Sequence, residues 1–275
     1  MNINRLAILG SGSMGGAILA GLLKTGLQPT QVSVSTRTEA SAQKYRDQGI
    51  SAYALETEPL ANSRAVAAAD LVLVAVKPGY VVSTLTEIAN SLSPSALVIS
   101  VAAGITTESM ETALGNSIAV IRAMPNTPAI VSRAVTGIAA GKLASAEQIS
   151  LATELFESVG KCLVLDEAKI DALSTVSGSG PAYVFYLIEE LTKTAEQLGF
   201  NQDEAELLVQ ETFLGASLLL EASGKTPAEL RQQVTSPNGT TMRAIAELEK
   251  ADLTELFNRA TEAALLRAKE IARGQ

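Results

Sequence analysis

The chain has 275 residues, a length that allows one large domain or two medium ones around a sizeable hydrophobic core. Hydrophobic residues make up 47% and charged residues 18%, a composition that excludes a disordered chain. The net charge of −8, without runs of Lys or Arg, argues against a nucleic-acid partner. Apolar runs are too short to span a membrane and no cleavable leader is recognisable, so we predict a cytoplasmic protein.

The chain contains no histidine and a single cysteine, which restricts its possible chemistry. Acid–base catalysis near neutral pH must use carboxylates, hydroxyls, Lys, Cys or water. Because histidine is the commonest metal ligand, we predict no metal site. The cysteine, Cys162, lies in an apolar run, where a core position is the simpler interpretation and a reactive thiol is the alternative.

Residues 1–165 alternate between short β-rich runs and helical stretches. The predicted strands are Leu6–Leu9, Gln31–Thr36, Leu71–Ala75, Leu97–Val101, Ala119–Ala123, Thr136–Ala139 and Lys161–Leu165. The predicted helices are Ala17–Thr25, Ala40–Gln48, Val82–Ala89 and Ala146–Val159. Repeated βα units predict an α/β fold, a Rossmann-type doubly wound parallel sheet.

Residues 166–275 lack a strand pattern and are predicted to form an all-helical second domain. Pro181–Leu198 places its apolar residues on one face, and Gly199 follows as a helix stop. Capping-box spacing marks three helix starts, at Asn201 with Glu204, Thr226 with Glu229, and Asp252 with Glu255. Phe213–Leu220 is apolar or small on all sides, so we expect another subunit to cover it.

A glycine-rich turn joins the first predicted strand to the first helix. Its residues are Gly10, Ser11, Gly12, Ser13, Met14 and Gly15. Glycines at this spacing permit a tight turn, close approach of the backbone to a pyrophosphate, and close helix–strand packing. Between a strand and a helix the pattern predicts a dinucleotide site, and a bare structural turn is the alternative.

The end of the second strand indicates which dinucleotide is bound. NAD enzymes place an acid there for the ribose 2′-hydroxyl, whereas this chain has Thr36 and Arg37 and no acid until Glu39. Arg37 can form a bidentate hydrogen-bonded ion pair with a 2′-phosphate, and the Thr36 hydroxyl can donate a hydrogen bond to it. We therefore predict NADPH, with NADH as a weaker alternative. A solvated arginine is the other interpretation of Arg37.

Two further strand ends lie at the same edge of the predicted sheet. Ala75, Val76, Lys77 and Pro78 follow one strand, and Ala102 and Ala103 follow the next. The small residues leave space for a nicotinamide ring. Lys77 is a candidate catalytic acid, although steadying the cofactor is the simpler role. The loop Arg122–Pro128 is stiffened by two prolines, and a purely structural role stays open for it.

Two loops stand out in the second half of the chain. Ser236, Pro237, Asn238, Gly239, Thr240 and Thr241 separate two helical segments. Such a loop exposes backbone N–H groups at the next helix start and favours anion binding, whereas a simple turn with Thr240 as N-cap is the alternative. The segment Ser177–Pro181 interrupts a helical region, and its two close glycines predict a kink.

The stretch Glu229–Ile245 resembles the C-terminal motif of the Δ1-pyrroline-5-carboxylate reductases, which make proline by reducing a cyclic imine with NAD(P)H. The resemblance extends over nearly the whole chain. It implies that Asn62 contacts the cofactor and that Ala75–Pro78 lies beside the nicotinamide ribose. It also implies that Glu167 and the segment Ser177–Tyr183 belong to the substrate end of the cleft.

The resemblance assigns roles within the loop of residues 236–241. The backbone amides near Gly239 and Thr240, with the Ser236 hydroxyl, suit the substrate carboxylate. The Thr241 hydroxyl would bond to the ring nitrogen and is the predicted catalytic group. Most of the family has Gly where Asn238 stands, and because Asn tolerates left-handed backbone geometry we expect the turn to persist.

The predicted reaction is hydride transfer from NADPH to pyrroline-5-carboxylate, giving proline. The resemblance implies self-association through the helical domain as a dimer or a ring of dimers, and we expect an active site completed across a subunit interface. An NADPH-dependent reductase of a hydroxy acid or another imine is the alternative enzyme, and such enzymes typically need a Lys or His near the carbonyl oxygen. A non-catalytic NADPH sensor would have a decayed substrate loop, whereas this loop is intact.

Overall fold

The computed structural model describes residues 3–272, which divide into two compact units. The first unit runs to Ser179 and includes the end of the last helix from Ala264 onwards. The second unit comprises Gly180–Ala263. The sequence-based boundary between residues 165 and 166 stays a prediction. No helix in the described part of the chain is both long and apolar enough to cross a membrane.

The first unit is built on one eight-stranded sheet. Its strands are β1 (Leu6–Leu9), β2 (Val32–Thr36), β3 (Ser51–Ala54), β4 (Leu71–Val74), β5 (Leu97–Ser100), β6 (Ala119–Met124), β7 (Ala134–Ala140) and β8 (Gly160–Val164). Its helices are α1 (Ser13–Lys24), α2 (Glu39–Arg46), α3 (Ala61–Val66), α4 (Pro78–Ile88), α5 (Thr107–Ala113), α6 (Ala146–Glu157) and α7 (Ile170–Leu173). A π-helical turn, Ser174–Gly178, follows α7.

The strand order is β3-β2-β1-β4-β5-β6-β7-β8. Strands β1 to β6 are parallel, but β7 runs antiparallel to β6, and β8 runs parallel to β7. The doubly wound fold is confirmed, whereas the expectation of a wholly parallel sheet is wrong for these last two strands. The segment between β6 and β7 holds only the 3-10 turn Thr127–Val131, and a parallel crossover needs about a dozen residues or more, usually a helix.

The core explains why the central strands read as continuous apolar runs. Every residue of β1, β4 and β5 is buried, because helices cover both faces of the sheet. Alternate side chains pack into two clusters, one containing Leu6 and Ile8, the other Ala7 and Leu9. The strand order reverses between β1 and β4, and in such sheets ligands bind outside the carboxyl ends of the strands at this point.

The second unit is helical, as expected. Its helices are α8 (Gly180–Gln197), α9 (Gln202–Ser223), α10 (Pro227–Gln233), α11 (Thr240–Glu249) and the first part of α12 (Leu253–Ala272). Complete capping boxes begin α9 at Asn201 and α10 at Thr226. At the third predicted start the Asp252 carboxylate accepts the Glu255 N–H at 3.3 Å.

Apolar side chains of the second unit remain largely in contact with solvent in the single chain. Only Ala195, Ala205 and Val209 form a buried cluster there. Phe185 of α8 is 66% exposed and Leu207 of α9 is 64% exposed. In the stretch Phe213–Leu220, the leucines at 214, 218, 219 and 220 are all exposed. One copy of the chain therefore does not bury this apolar surface.

Candidate functional site

The three glycines of the turn after β1 have three different surroundings. Gly10 adopts φ +83°, and a Cβ atom there would lie 2.9 Å from the Ala75 carbonyl oxygen. A Cβ at Gly15 would lie 2.5 Å from the Gly10 carbonyl oxygen, so this glycine lets α1 pack closely. Nothing lies within 4 Å of a Cβ built at Gly12. Tight turn, close packing and open backbone are the three features that a bound pyrophosphate requires.

The start of α1 is free to receive an anion. Gly12 occupies the N-cap position without a side-chain capping bond, and the first turn holds no acidic residue. Ser13 is exposed and Met14 half-buried, so their backbone N–H groups lie beside the open surface at Gly12. Tyr45 holds the turn by donating its hydroxyl to the Ser11 carbonyl at 3.2 Å. The positive end of the helix dipole is thus unshielded, and these residues fit a dinucleotide.

At the end of β2 the structure separates the two residues predicted to meet a 2′-phosphate. Thr36 is buried and donates its hydroxyl to the Thr38 carbonyl at 2.9 Å, so its proton is used within the fold. Arg37 is exposed, and within residues 3–270 its guanidinium has no ion pair. The acid that follows, Glu39, is bonded to Arg46, which lowers the pKa of Glu39. Arg37 is therefore the available cation, and phosphate contact by either residue stays a prediction.

Asn62 is buried between β2 and α4. Its Oδ1 accepts the Ser35 hydroxyl at 2.7 Å, and its Nδ2 donates to the Glu87 carboxylate at 3.0 Å. These bonds fix α3 beneath the end of β2 and so shape the crevice. Direct contact of Asn62 with the cofactor stays a prediction.

Residues 75–78 lie where expected, at the carboxyl end of β4. Ala75 and Val76 close over Gly10, and Pro78 begins α4. Lys77 is exposed at the N-cap of that helix, and its ammonium has no ion pair within residues 3–270. This position is compatible with steadying a cofactor and with proton donation, so both interpretations of Lys77 stay open.

The loop after β5 leads from the predicted nicotinamide side to α5. The Ala102 N–H donates to the Ser100 hydroxyl at 3.3 Å, while Ala103 is half-buried. Four residues further on, Thr107 begins α5 and donates its N–H to Glu167 Oε1 at 2.7 Å and its hydroxyl to Glu167 Oε2. Arg122 Nη1 lies 3.6 Å from Glu167 Oε1. Glu167 is thus engaged within the first unit, and its contact with substrate stays a prediction.

The loop after β6 is tied down by Asn126. Its Nδ2 donates to the Ser177 carbonyl at 2.9 Å, and its Oδ1 accepts the Val135 N–H at 2.9 Å. Asn126 therefore joins the start of β7 to the π-helical turn of residues 174–178. That turn overlaps the predicted kink segment Ser177–Pro181 at residues 177–178, and π-helical turns are frequent at functional sites.

In the second unit, residues 236–239 form a tight turn. The Gly239 N–H donates to the Ser236 carbonyl at 3.0 Å. Pro237 occupies the second position and Asn238 the third, with φ +59°, as a type II turn requires. The expectation that Asn238 preserves the left-handed turn is confirmed. Helix α11 begins at Thr240 with Gly239 at the N-cap, so the alternative with Thr240 as N-cap is wrong.

The start of α11 is a second unshielded helix terminus. Gly239 provides no side-chain cap, and the first turn contains no acid. The hydroxyls of Ser236, Thr240 and Thr241 have no hydrogen-bond partner in the described part of the chain. Ser236 and Thr240 are exposed and Thr241 is half-buried. Backbone N–H groups and free hydroxyls together can hold a carboxylate and donate to a neighbouring ring atom.

Cys162 lies in β8, half-buried against the main cluster of the core. Burial, with a smaller contribution from the nearby Glu157 carboxylate, raises the pKa of Cys162 to about 11. The thiol is therefore protonated near neutral pH, which favours the core interpretation over a reactive nucleophile.

The contacts that surround Arg122 are functional features that no sequence motif predicts. The Arg122 side chain is only 4% exposed and pairs with Asp171 as well as with Glu167. A charged residue in the middle of the apolar run Ala119–Met124 is the signal that could have revealed it, because a buried arginine needs an acidic partner. The partners lie 45 and 49 residues away, so the pattern does not identify them.

The first unit has the features of a Rossmann-type NAD(P)-dependent oxidoreductase. They are a glycine turn between a buried strand and a helix, an exposed arginine after the next strand, and a crevice at the switch point. Residues 5–104 match a family model described as NADP oxidoreductase, coenzyme F420-dependent. Residues 167–271 match the model for pyrroline-5-carboxylate reductase dimerisation. The second match indicates self-association through the helical part of the chain.

Individual proteins agree with these models. Pyrroline-5-carboxylate reductase from Pseudomonas aeruginosa is 38% identical, over 99% of this chain and 98% of its own. A structure of pyrroline-5-carboxylate reductase from Coxiella burnetii is 36% identical with a TM-score of 0.90, over 98% of both chains. The Plasmodium falciparum enzyme with NADP bound is 25% identical with a TM-score of 0.84, also over 98% of both. The chain belongs to the pyrroline-5-carboxylate reductase family.

Proposed function

We propose that this protein reduces Δ1-pyrroline-5-carboxylate to proline, the last step of proline biosynthesis, with NADPH as hydride donor. The observation that carries the proposal is the presence of two unshielded helix starts in one chain. The start of α1, at Gly12, fits a pyrophosphate, and the start of α11, at Gly239, carries free hydroxyls suited to a small anionic ring. Membership of the family supports the same substrate.

Within the first unit, the backbone of Gly10–Gly15 holds the pyrophosphate and Arg37 meets the 2′-phosphate. Ala75–Pro78, Ala102 and Ala103 line the nicotinamide side, and Asn62 supports the crevice. When bound, NADPH supplies a hydride from C4 of its nicotinamide. The chain's contribution is to hold the imine carbon close to that position and away from water, which accounts for much of the rate in such reactions.

Within the second unit, the backbone amides of Gly239 and Thr240 and the Ser236 hydroxyl hold the substrate carboxylate. Thr241 donates a hydrogen bond to the ring nitrogen and guides a proton to it from water. This proton converts the neutral imine into an iminium, whose carbon is electrophilic enough to accept the hydride, so the protein needs no strong acid. This requirement suits a chain that has no histidine.

We further propose that the functional form is a dimer or a ring of dimers and that each active site is completed across a subunit interface. The support is the large exposed apolar surface of α8 and α9. We also keep the boundary near residue 165 as the start of the substrate domain. A cytoplasmic location fits a biosynthetic reductase that needs NADPH.

The direct test is the loss of NADPH absorbance when Δ1-pyrroline-5-carboxylate is added to the purified protein, with NADH in a parallel assay. We expect substrate-dependent oxidation with proline as the product, faster with NADPH. Tight NADPH binding without oxidation would reject the proposal. In that case another imine or a hydroxy acid becomes the substrate to test.

A further inference from the structure

A charged network around the buried Arg122 connects three segments of the first unit. Arg122 of β6 is 4% exposed on its side chain, donates from Nη2 to Asp171, and places Nη1 3.6 Å from Glu167 Oε1. Glu167 accepts both the N–H and the hydroxyl of Thr107 at the start of α5. We call these four residues the Arg122 network.

The network lies at the carboxyl edge of the parallel strands. Thr107 ends the loop that carries Ala102 and Ala103, and Arg122 is two residues from the end of β6. The π-helical turn that follows Asp171 reaches the same edge, because a Cβ at Gly178 would lie 3.3 Å from Met124 Cε. The adenosine side of the crevice is at β2, so the nicotinamide extends towards β5 and β6.

The Arg122 network is held firmly because each charge requires the others. Removal of an acidic partner would leave the buried Arg122 guanidinium without full compensation of its charge, which is strongly unfavourable. The Glu167 carboxylate at the start of α5 also compensates the positive end of that helix. Both oxygens of Glu167 are engaged in these contacts, so the carboxylate is held in one position by the protein.

We propose that Arg122, Glu167 and Thr107 are positioning residues for hydride transfer, which fix the loop of Ala102 and Ala103 against the π-helical turn without touching the substrate. The inference rests on the proposed function. It differs from the sequence-based expectation for Glu167, which is a direct substrate contact. A shift of about 1 Å in a wall of the nicotinamide site is enough to lower turnover by up to roughly a hundredfold.

The experiment compares Thr107→Val, Glu167→Gln and the double variant. We expect each single variant to lower kcat about tenfold or more, with the KM for pyrroline-5-carboxylate changed by less than about threefold. The double variant should be no slower than the slower single variant, because both remove the same contact. Thr107→Ser keeps the hydroxyl and should restore kcat. In each single variant, the fluorescence of bound NADPH should differ from that in the wild-type protein. This readout does not need turnover.

Glu111→Gln is the matched control. Glu111 lies on α5, as Thr107 does, and is buried. Its carboxylate accepts the Lys142 N–H at 2.6 Å and so stabilises the loop after β7 instead of the nicotinamide side. We expect this variant to lower the melting temperature without lowering kcat. An equal loss of kcat in Glu111→Gln would reduce the effect to general destabilisation and reject positioning.

Two other results would overturn the inference. A raised KM for pyrroline-5-carboxylate in Glu167→Gln, with Thr107→Val unaffected, would make Glu167 a substrate contact. Additive losses in the double variant would show that the two residues act independently. An inactive wild-type protein would instead reject the proposed function, and the NADPH fluorescence of the variants would still test whether the network positions the nicotinamide.

Discussion

The two units of this chain bury their apolar residues in different ways. In the first unit every residue of β1 and β4 is inaccessible to solvent, and these strands lie within two large buried clusters formed by one copy of the chain. In the second unit only three small or β-branched residues form a buried cluster, while Phe185 and Leu207 remain about two-thirds exposed. A helix that is apolar all round needs cover on all sides, and one copy does not provide it.

This difference separates the two functional loops. The cofactor turn belongs to the unit that folds around its own core, whereas the loop of residues 236–241 belongs to the unit that depends on a second copy. We therefore expect NADPH binding to be robust and substrate turnover to depend on assembly. The predictions below test this division, from the largest effect to the smallest.

The first prediction breaks the helical interface. Leu214 and Leu218 lie one turn apart on α9 and are 52% and 48% exposed in the single chain. Replacing both with Asp would bury unpaired charges at the interface. The dissociation constant for self-association should therefore rise about a thousandfold, which corresponds to about 4 kcal/mol of association free energy. We expect a monomer by sedimentation velocity, with turnover lost and NADPH binding retained.

The control for this variant is an exposed leucine on the other unit. Leu143 is 51% exposed in the turn after β7. Leu143→Asp should leave both assembly and turnover at the wild-type level. A double variant that remains associated, or one that loses NADPH binding as fully as it loses turnover, contradicts the division between the units.

The second prediction concerns the substrate loop itself. Thr241→Ala removes a hydroxyl that has no partner in the described residues, so it should cost little stability. We expect kcat to fall by about a hundredfold, the lower end of the range for a lost proton-transfer or hydrogen-bonding group, with NADPH binding close to wild type. Steady-state kinetics and NADPH fluorescence titration measure the two effects.

Thr86→Ala provides the comparison for Thr241→Ala. Thr86 is an exposed threonine of α4 whose hydroxyl donates to the carbonyl of its own helix, at Val82. Its substitution should not alter kcat. Unchanged turnover in Thr241→Ala would reject the role of that hydroxyl and leave water as the direct proton source.

The sequence reveals local features of both units more fully than long-range ones. β1 is predicted to the residue, and the turn at Asn238 follows from backbone preference alone. β3, α3 and α5 were missed because each is seven residues or shorter and shows too little periodicity. The reversal of β7 depends on the connection between strands, which side-chain patterns do not encode.

The candidate site follows the same rule. The glycine turn and the loop of residues 236–241 are contiguous, so their residues could be named from the sequence. The contacts of Glu167 could not, because Thr107 is 60 residues away and meets it only when α5 packs beside the sheet. Likewise, the buried bond from Thr36 to Thr38 depends on the local fold, and a strand-end pattern shows only that a hydroxyl is present.

The third prediction tests the cofactor side of the comparison. Arg37→Gln removes the exposed cation after β2 and keeps hydrogen-bonding capacity. We expect the KM for NADPH to rise about tenfold, which corresponds to about 1.4 kcal/mol of binding free energy from one charge-assisted contact. The KM for NADH should not change. Arg64→Gln is the control, because Arg64 is exposed but pairs with Glu58 at 2.7 Å. Equal changes for both cofactors would reject 2′-phosphate recognition by Arg37.

The smallest expected effect compares one backbone conformation in the two units. Asn238 and Asn116 both have left-handed geometry, with φ +59° and +55°, and both are exposed. Replacement of either by Ala should lower the free energy of unfolding by about 1 kcal/mol, because a Cβ-bearing side chain without Asn's local hydrogen bonding is strained there. Replacement by Gly should change it by less than about 0.5 kcal/mol, as Gly adopts this conformation freely.

The kinetics should distinguish the two positions even though the strain is the same. Asn238→Ala loosens the turn that sets the Gly239 and Thr240 amides, so the KM for pyrroline-5-carboxylate should rise about threefold to fivefold, the equivalent of about 1 kcal/mol. Asn116 follows α5 in the first unit, and Asn116→Ala should leave this KM unchanged. Thermal unfolding and steady-state kinetics on the four variants measure both effects. If Asn238→Ala behaved like Asn116→Ala, the turn geometry would matter for folding alone, and the carboxylate would have to be held elsewhere.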